Sequence, residues 1–127
     1  MNVLLDTHAL IWFYDGSPLL SAAGRAAIED QDNRPFLSAA SFVEIGIKIS
    51  LGKLRLSAST ARILDTYINA GASVLDIRPI YGMSLETLPF HHRDPFDRLL
   101  AVQALVEDMT FISKDAVFDQ YGVKRLW

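Results

Sequence analysis

The sequence predicts an α/β fold, with a mainly parallel sheet between helices on both faces. Short apolar runs at 3–5, 36–38, 73–77 and 110–113 have the length of buried strands. The segments between them carry helical spacing and capping residues, and strands alternating with helices pair in parallel through right-handed crossovers. Asp6 and Asp115 directly follow apolar runs, at the carboxyl ends of their strands, which is the edge where open parallel sheets bind ligands.

Residues 3–5 form the first strand, followed by an apolar helix through about Tyr14. Asp15-Gly16-Ser17-Pro18 is a turn. Ser21 caps a helix ending near Asp30, because Ala22, Ala26, Ala27 and Ile28 lie among polar positions. Arg34-Pro35 leads into the second strand at 36–38. A helix over 40–50 follows, closed by Gly52 in the left-handed conformation. The next helix covers 59–70 and stops at Gly71, before the strand at 73–77. Residues 81–87 make a short helix stopped by Pro89. Pro95 opens the helix that continues to Glu107, since a proline in the first turn gives up no needed N–H. A strand at 110–113, a short helix at 116–121 and an edge strand at 123–125 complete the chain.

A chain of 127 residues fits one compact domain. Half of it is apolar and its mean hydropathy is +0.20, so some apolar surface is expected to be covered by a partner or a second copy. The longest apolar run, 9–14, is far too short to cross a bilayer, so no membrane association is expected. The N-terminus has no basic region and carries Asp6 within its apolar run, which argues against a signal peptide and for the cytoplasm. With no cysteine, disulfides, thiolate catalysis and cysteine-bound zinc are excluded. A net charge of −3 is unlike that of a protein holding nucleic acid by charge alone. If the target is a polyanion, a metal must anchor its phosphate. Local cations would then steer it, drawn from Lys48, Lys53, Arg55, Arg93, Arg98 and Lys114, more than half of which are ordinary solvated charges.

The acids are placed against core-forming segments. Glu44 interrupts the apolar run 42–47, and at helical spacing it shares a narrow polar stripe with Ser41 and Lys48. Asp94 and Asp97 frame Asp94-Pro95-Phe96-Asp97-Arg98 ahead of an apolar helix. An unpaired buried carboxylate loses hydration with nothing to replace it, and several converging acids call for a divalent cation. A consistent fold brings Asp6, Glu44, Asp97 and Asp115 around one pocket. Apart from Asp6, which follows a strand too apolar to be an edge loop, each acid also has a simpler reading: Asp94 and Asp115 as caps, Asp97 as a complement to the helix dipole, Glu44 with Lys48 as an i, i+4 pair.

Other chemistries are poorly supported. His8, His91 and His92 lack a metal-binding helical spacing, and His91-His92 reads as a loop or substrate contact rather than a ligand set. Ser38, Ser41 and Ser113 lack a glycine-flanked elbow, and no phosphate-binding glycine loop is present. An aspartyl-nucleophile phosphatase needs an acid where His8 stands, and a receiver domain needs an acidic pair after the first strand. Trp12 and Phe13 read as core or interface rather than as a platform for bases.

Leu5-Asp6-Thr7-His8-Ala9-Leu10 followed by Trp12, the glutamate segment 41–45 with Lys48, the run His92-Arg93-Asp94-Pro95-Phe96-Asp97-Arg98-Leu99-Leu100, and Ser113-Lys114-Asp115 with Phe118 occur in one order. In that order the chain resembles the PIN-domain ribonucleases, specifically the VapC-type toxins of bacterial toxin–antitoxin pairs, over essentially its whole length. The resemblance implies a single PIN domain over 1–127 with a Rossmann-like three-layer α/β/α fold. It also implies Mg²⁺ or Mn²⁺, an endoribonuclease activity on RNA, a homodimer or larger assembly, and inhibition by a small cognate antitoxin. On that reading Asp6 and Asp97 are the main metal ligands, and Glu44 and Asp115 complete the shell or orient water. Thr7, Ser41, Lys48, Asp94, Arg98 and Ser113 are supporting or substrate-contacting residues. The alternative is a non-catalytic protein–protein module of the same fold.

Overall fold

The computed structural model describes residues 1–127. Five strands, β1 (Asn2–Leu5), β2 (Arg34–Ser38), β3 (Ser73–Leu75), β4 (Thr110–Ile112) and β5 (Arg125–Leu126), form one sheet in the order β3-β2-β1-β4-β5. All four pairings are parallel. The helices are α1 (Thr7–Asp15), α2 (Ala22–Glu29), α3 (Ala39–Ser50), α4 (Thr60–Asn69), α5 (Pro79–Leu85) and α6 (Pro95–Val106), with a 3₁₀ helix at Ala116–Tyr121.

Alternation along the strands builds two cores. Val3, Leu5, Leu37 and Ile112 pack on one face with Leu10, Ile28, Ile45, Ile63 and Tyr67. Leu4 and Phe111 point the other way, onto Leu100, Ala101, Ala104 and Phe118. A sheet buried on both sides requires continuously apolar strands, which β1 and β4 supply. The result is a three-layer α/β/α sandwich.

Several ends differ from the sequence expectation. The strand expected at 73–77 stops at Leu75, because its neighbour β2 ends where Ser38 pairs with Leu75. Beyond that point the Asp76 carbonyl accepts from Gln103 Nε2 instead (3.3 Å). The helix expected at 81–87 begins two residues earlier, with Pro79 in its first turn, and ends at Leu85. The last strand lies at Arg125–Leu126 rather than 123–125, set by its register against Phe111 and Ile112. Residues 116–121 wind as 3₁₀ rather than α. Gly52 and Gly71 take the positive φ expected of them, +70° and +100°.

One buried polar contact fixes the helices that carry the acids. Ser38 caps α3 by accepting from Ala40 N–H, and its hydroxyl donates to Gln103 Oε1 on α6 at 2.6 Å. Both residues are fully buried, so neither polar group has water as a substitute partner. The start of α3, at the carboxyl end of β2, is thereby tied to the carboxyl-terminal half of α6.

Candidate active site

Asp6 leaves the central strand β1 and becomes the N-cap of α1. One carboxylate oxygen accepts from Thr7 N–H (2.7 Å) and the other from the Ser113 hydroxyl (2.7 Å), which is fully buried just past β4. Burial drives the Asp6 carboxyl above its ordinary pKa; the Ser113 bond, nearby His8 and the Thr7 N–H oppose that rise, and Glu44 adds to it. Thr7 then links the next acid: its hydroxyl donates to Glu44 Oε1 at 2.8 Å and lies 2.9 Å from the Ser41 hydroxyl. Lys48 Nζ donates to the other Glu44 oxygen at 2.6 Å, and that bond raises the Lys48 pKa. The polar stripe expected on α3 is therefore one connected chain from Asp6 through Thr7 to Glu44 and Lys48.

A second group faces it. Asp94 caps α6, accepting from Phe96 and Asp97 N–H at 2.8 and 3.2 Å. This fixes the turn from which Asp97 projects, so Asp94 acts on Asp97 through the backbone. Asp115 caps the 3₁₀ helix through Val117 N–H, and its own N–H donates to the Ser113 hydroxyl. His92 Nε2 lies 3.0 Å from Asp97 Oδ2 and 3.2 Å from Asp115 Oδ2. The Asp94 N–H donates to His92 Nδ1 at 3.1 Å, which assigns the ring proton to Nε2, facing the two carboxylates. His92, Asp97 and Asp115 bring one potential ligand atom each within 4.8 Å of the others; Asp6 and Glu44 are not part of that tight cluster.

The charges communicate. Burial, then Asp6 and Asp94, push the Asp97 carboxyl up to about 7, with His92 opposing and Glu44 adding. Lys48 and His92 are the nearby groups that offset this excess of carboxylate. The donor set is dominated by hard oxygens carrying uncompensated negative charge, which suits Mg²⁺ or Mn²⁺ and not a soft metal.

Arg98, expected among the substrate contacts, is turned away from the acids. It is buried, donates to the carbonyls of Pro89 (2.8 Å) and Leu88 (3.2 Å), and stacks on the Phe90 ring at 3.9 Å. Its work is to pin the segment before α6. His92 is the residue that sequence reasoning set aside as a ligand: its carboxylate partners, Asp97 and Asp115, lie 5 and 23 positions downstream. The available signal was its place in the loop leading into the Asp94 cap.

Carboxylates gathered at the carboxyl edge of the central strands of a parallel α/β sandwich lie where such sheets bind ligands. The chain belongs to the PIN domain family, whose model matches residues 3–124. Three solved structures share the fold. VapBC2 from Rickettsia felis, bound to a DNA fragment from its promoter, has a chain with TM-score 0.73 and 14% identity over 99% of this chain and 98% of that one. VapBC-1 from nontypeable Haemophilus influenzae gives 0.65 and 20%, over 99% and 97%. FitAcB from Neisseria gonorrhoeae gives 0.57 and 16%, over 98% and 96%. No curated protein matches the sequence.

Proposed function

We propose that this protein is a Mg²⁺- or Mn²⁺-dependent endoribonuclease and the toxin of a VapC-type toxin–antitoxin pair. The observation that carries the reading is geometric: Ser113 and Thr7 join Asp6 to Asp115 and Glu44 by hydrogen bonds, and His92 Nε2 lies within 3.2 Å of both Asp97 and Asp115.

The residues divide the work. Asp6, Asp97, Glu44 and Asp115 are the groups that would hold the cation. A bound divalent ion would offset negative charge on the phosphoryl oxygens and make a water easier to deprotonate for attack on phosphorus. Ser113 and Thr7 N–H orient the Asp6 carboxylate, and the Thr7 hydroxyl and Lys48 fix both oxygens of Glu44. Asp6 and Glu44 would therefore meet the cation already oriented. His92 holds its Nε2 proton between Asp97 and Asp115, where it keeps two like charges together before metal arrives.

The partner reading has its own support. Val43 and Ile47, one turn apart on α3, are about half exposed, and Leu51 is 62% exposed. Such an apolar strip suits a cognate antitoxin or a second copy in a homodimer. By contrast, Ile11–Tyr14 pack against the protein's own core. No helix is long and apolar enough to cross a membrane.

Incubating the purified protein with structured RNAs tests the function. Internal cleavage is expected with Mg²⁺ or Mn²⁺ and none with chelator. Cleavage that persists in chelator, or no cleavage of any RNA with metal, contradicts the reading; in the second case the non-catalytic module stands.

A further inference from the structure

A cavity of about 360 Å³ opens directly beside the acids, with Asp6 and Asp115 in its wall. The rest of its lining includes His8, Trp12 and Lys114. His8 and Trp12 sit one turn apart on α1 and stack at 5.4 Å between ring centroids, 28° apart in plane. Trp127 packs against Trp12 at 5.9 Å, which braces this aromatic wall from the chain's own C-terminus. The structure gives Trp12 a part in the core and also a face on the site, beyond the core or interface role its sequence suggests.

Two of these side chains keep their polar atoms unpartnered. His8 is exposed and neither ring nitrogen makes a hydrogen bond; Lys114 is exposed and makes no ion pair, although it adjoins Asp115. An unpaired ammonium and an open π-surface, both bordering carboxylates that would hold a phosphate-directed metal, are complementary to a nucleotide. The cavity is at the small end of ligand sites, suited to one residue of a single strand and not to a base pair.

We propose that this cavity is a nucleotide subsite of the ribonuclease reading, on which it rests. It takes the base next to the scissile phosphate of single-stranded RNA. The base stacks on the His8–Trp12 wall and Lys114 meets a flanking phosphate. An apolar side chain of a protein partner has no use for Lys114, and this favours RNA as the occupant. The lining holds no side-chain amide or guanidinium to pair bidentately with a base edge, so stacking area is the main selector, and purines bind better than pyrimidines.

The test measures anisotropy of fluorescein-labelled hexa-adenylate and hexa-uridylate at low salt in an Asp97→Asn background, which prevents cleavage and holds no metal, so that binding reads the subsite and not the cation. Hexa-adenylate is expected to bind tighter. His8→Ala and Trp12→Leu should each weaken it by about tenfold and narrow the gap to hexa-uridylate. Lys114→Ala should weaken both RNAs alike and flatten the salt dependence. His8 is exposed, so its variant keeps the test sound if Trp12→Leu misfolds. Unchanged binding of both RNAs by folded His8→Ala and Lys114→Ala overturns the subsite and leaves the cavity to a protein side chain. Wild-type protein is assayed for cleavage in parallel. Cleavage with unaltered variant binding sinks the subsite alone, whereas no RNA cleavage at all sinks the subsite and the function together.

Discussion

Asp97→Asn is expected to abolish metal-dependent RNA cleavage, by on the order of a thousandfold, while making the metal-free protein more stable at neutral pH. The two effects have one cause. Asp97 is crowded by Asp6, Asp94 and Glu44, and its carboxyl is pushed up to about 7. A carboxyl whose folded pKa exceeds its unfolded one binds a proton more readily in the folded state. The stability this provides is fully present below the unfolded value, near 3.8, and is lost as pH rises through about 7. Above that, folding confines an ion that its neighbours repel. Asparagine keeps the shape and an oxygen for His92 Nε2, and it removes the charge. In chelator at pH 8 the variant should therefore melt higher than wild type, by roughly 3–6 °C. The gain should all but vanish near pH 3, below the unfolded value of 3.8, where Asp97 is mostly protonated in both states, and at pH 8 Mn²⁺ should raise the wild-type melt instead. Melts at the two pH values, with and without metal, check this. A variant less stable than wild type in chelator at pH 8 makes Asp97 a structural acid at a helix end.

Asp6 separates structure from chemistry in a different way. Asn is as good an N-cap as Asp, keeping its oxygen for the Thr7 N–H while its amide nitrogen donates to the Ser113 hydroxyl, so Asp6→Asn should fold and lose cleavage by on the order of a thousandfold. Asp6→Ala should lose the same activity and, in addition, about 1–2 kcal/mol of stability, because α1 loses its cap and the buried Ser113 hydroxyl its acceptor. Denaturant melts and cleavage rates of the two variants decide it. Wild-type cleavage by Asp6→Asn reduces Asp6 to a capping residue.

What the sequence reveals about the fold is what local chemistry controls. Pro95 behind Asp94, Ser21 at its helix start and Gly52 beyond another are each settled within a turn of chain, and the structure has all three where expected. The apolar runs of β1 and β4 could be read because both faces of the sheet are buried. Elements whose limits depend on a distant neighbour were less legible: β3 ends where β2 does, and β5 takes its register from β4. The same distinction holds at the site. Ser41, Glu44 and Lys48 lie at helical spacing and can be grouped by eye, but the bond from Thr7 that joins them to Asp6 spans 37 positions. His92 bridges Asp97 and Asp115 from a loop with no periodicity to mark it. Arg98 looks like a phosphate ligand in the sequence, and only packing reveals that it is committed to the carbonyls of Leu88 and Pro89.

The central claim is that these carboxylates form one cation site, and calorimetric titration with Mn²⁺ tests it most directly. Wild-type protein is expected to give a saturable, stoichiometric isotherm, which Asp6→Asn and Asp97→Asn each abolish while remaining folded. A flat wild-type isotherm, or undiminished binding by both variants, would contradict it.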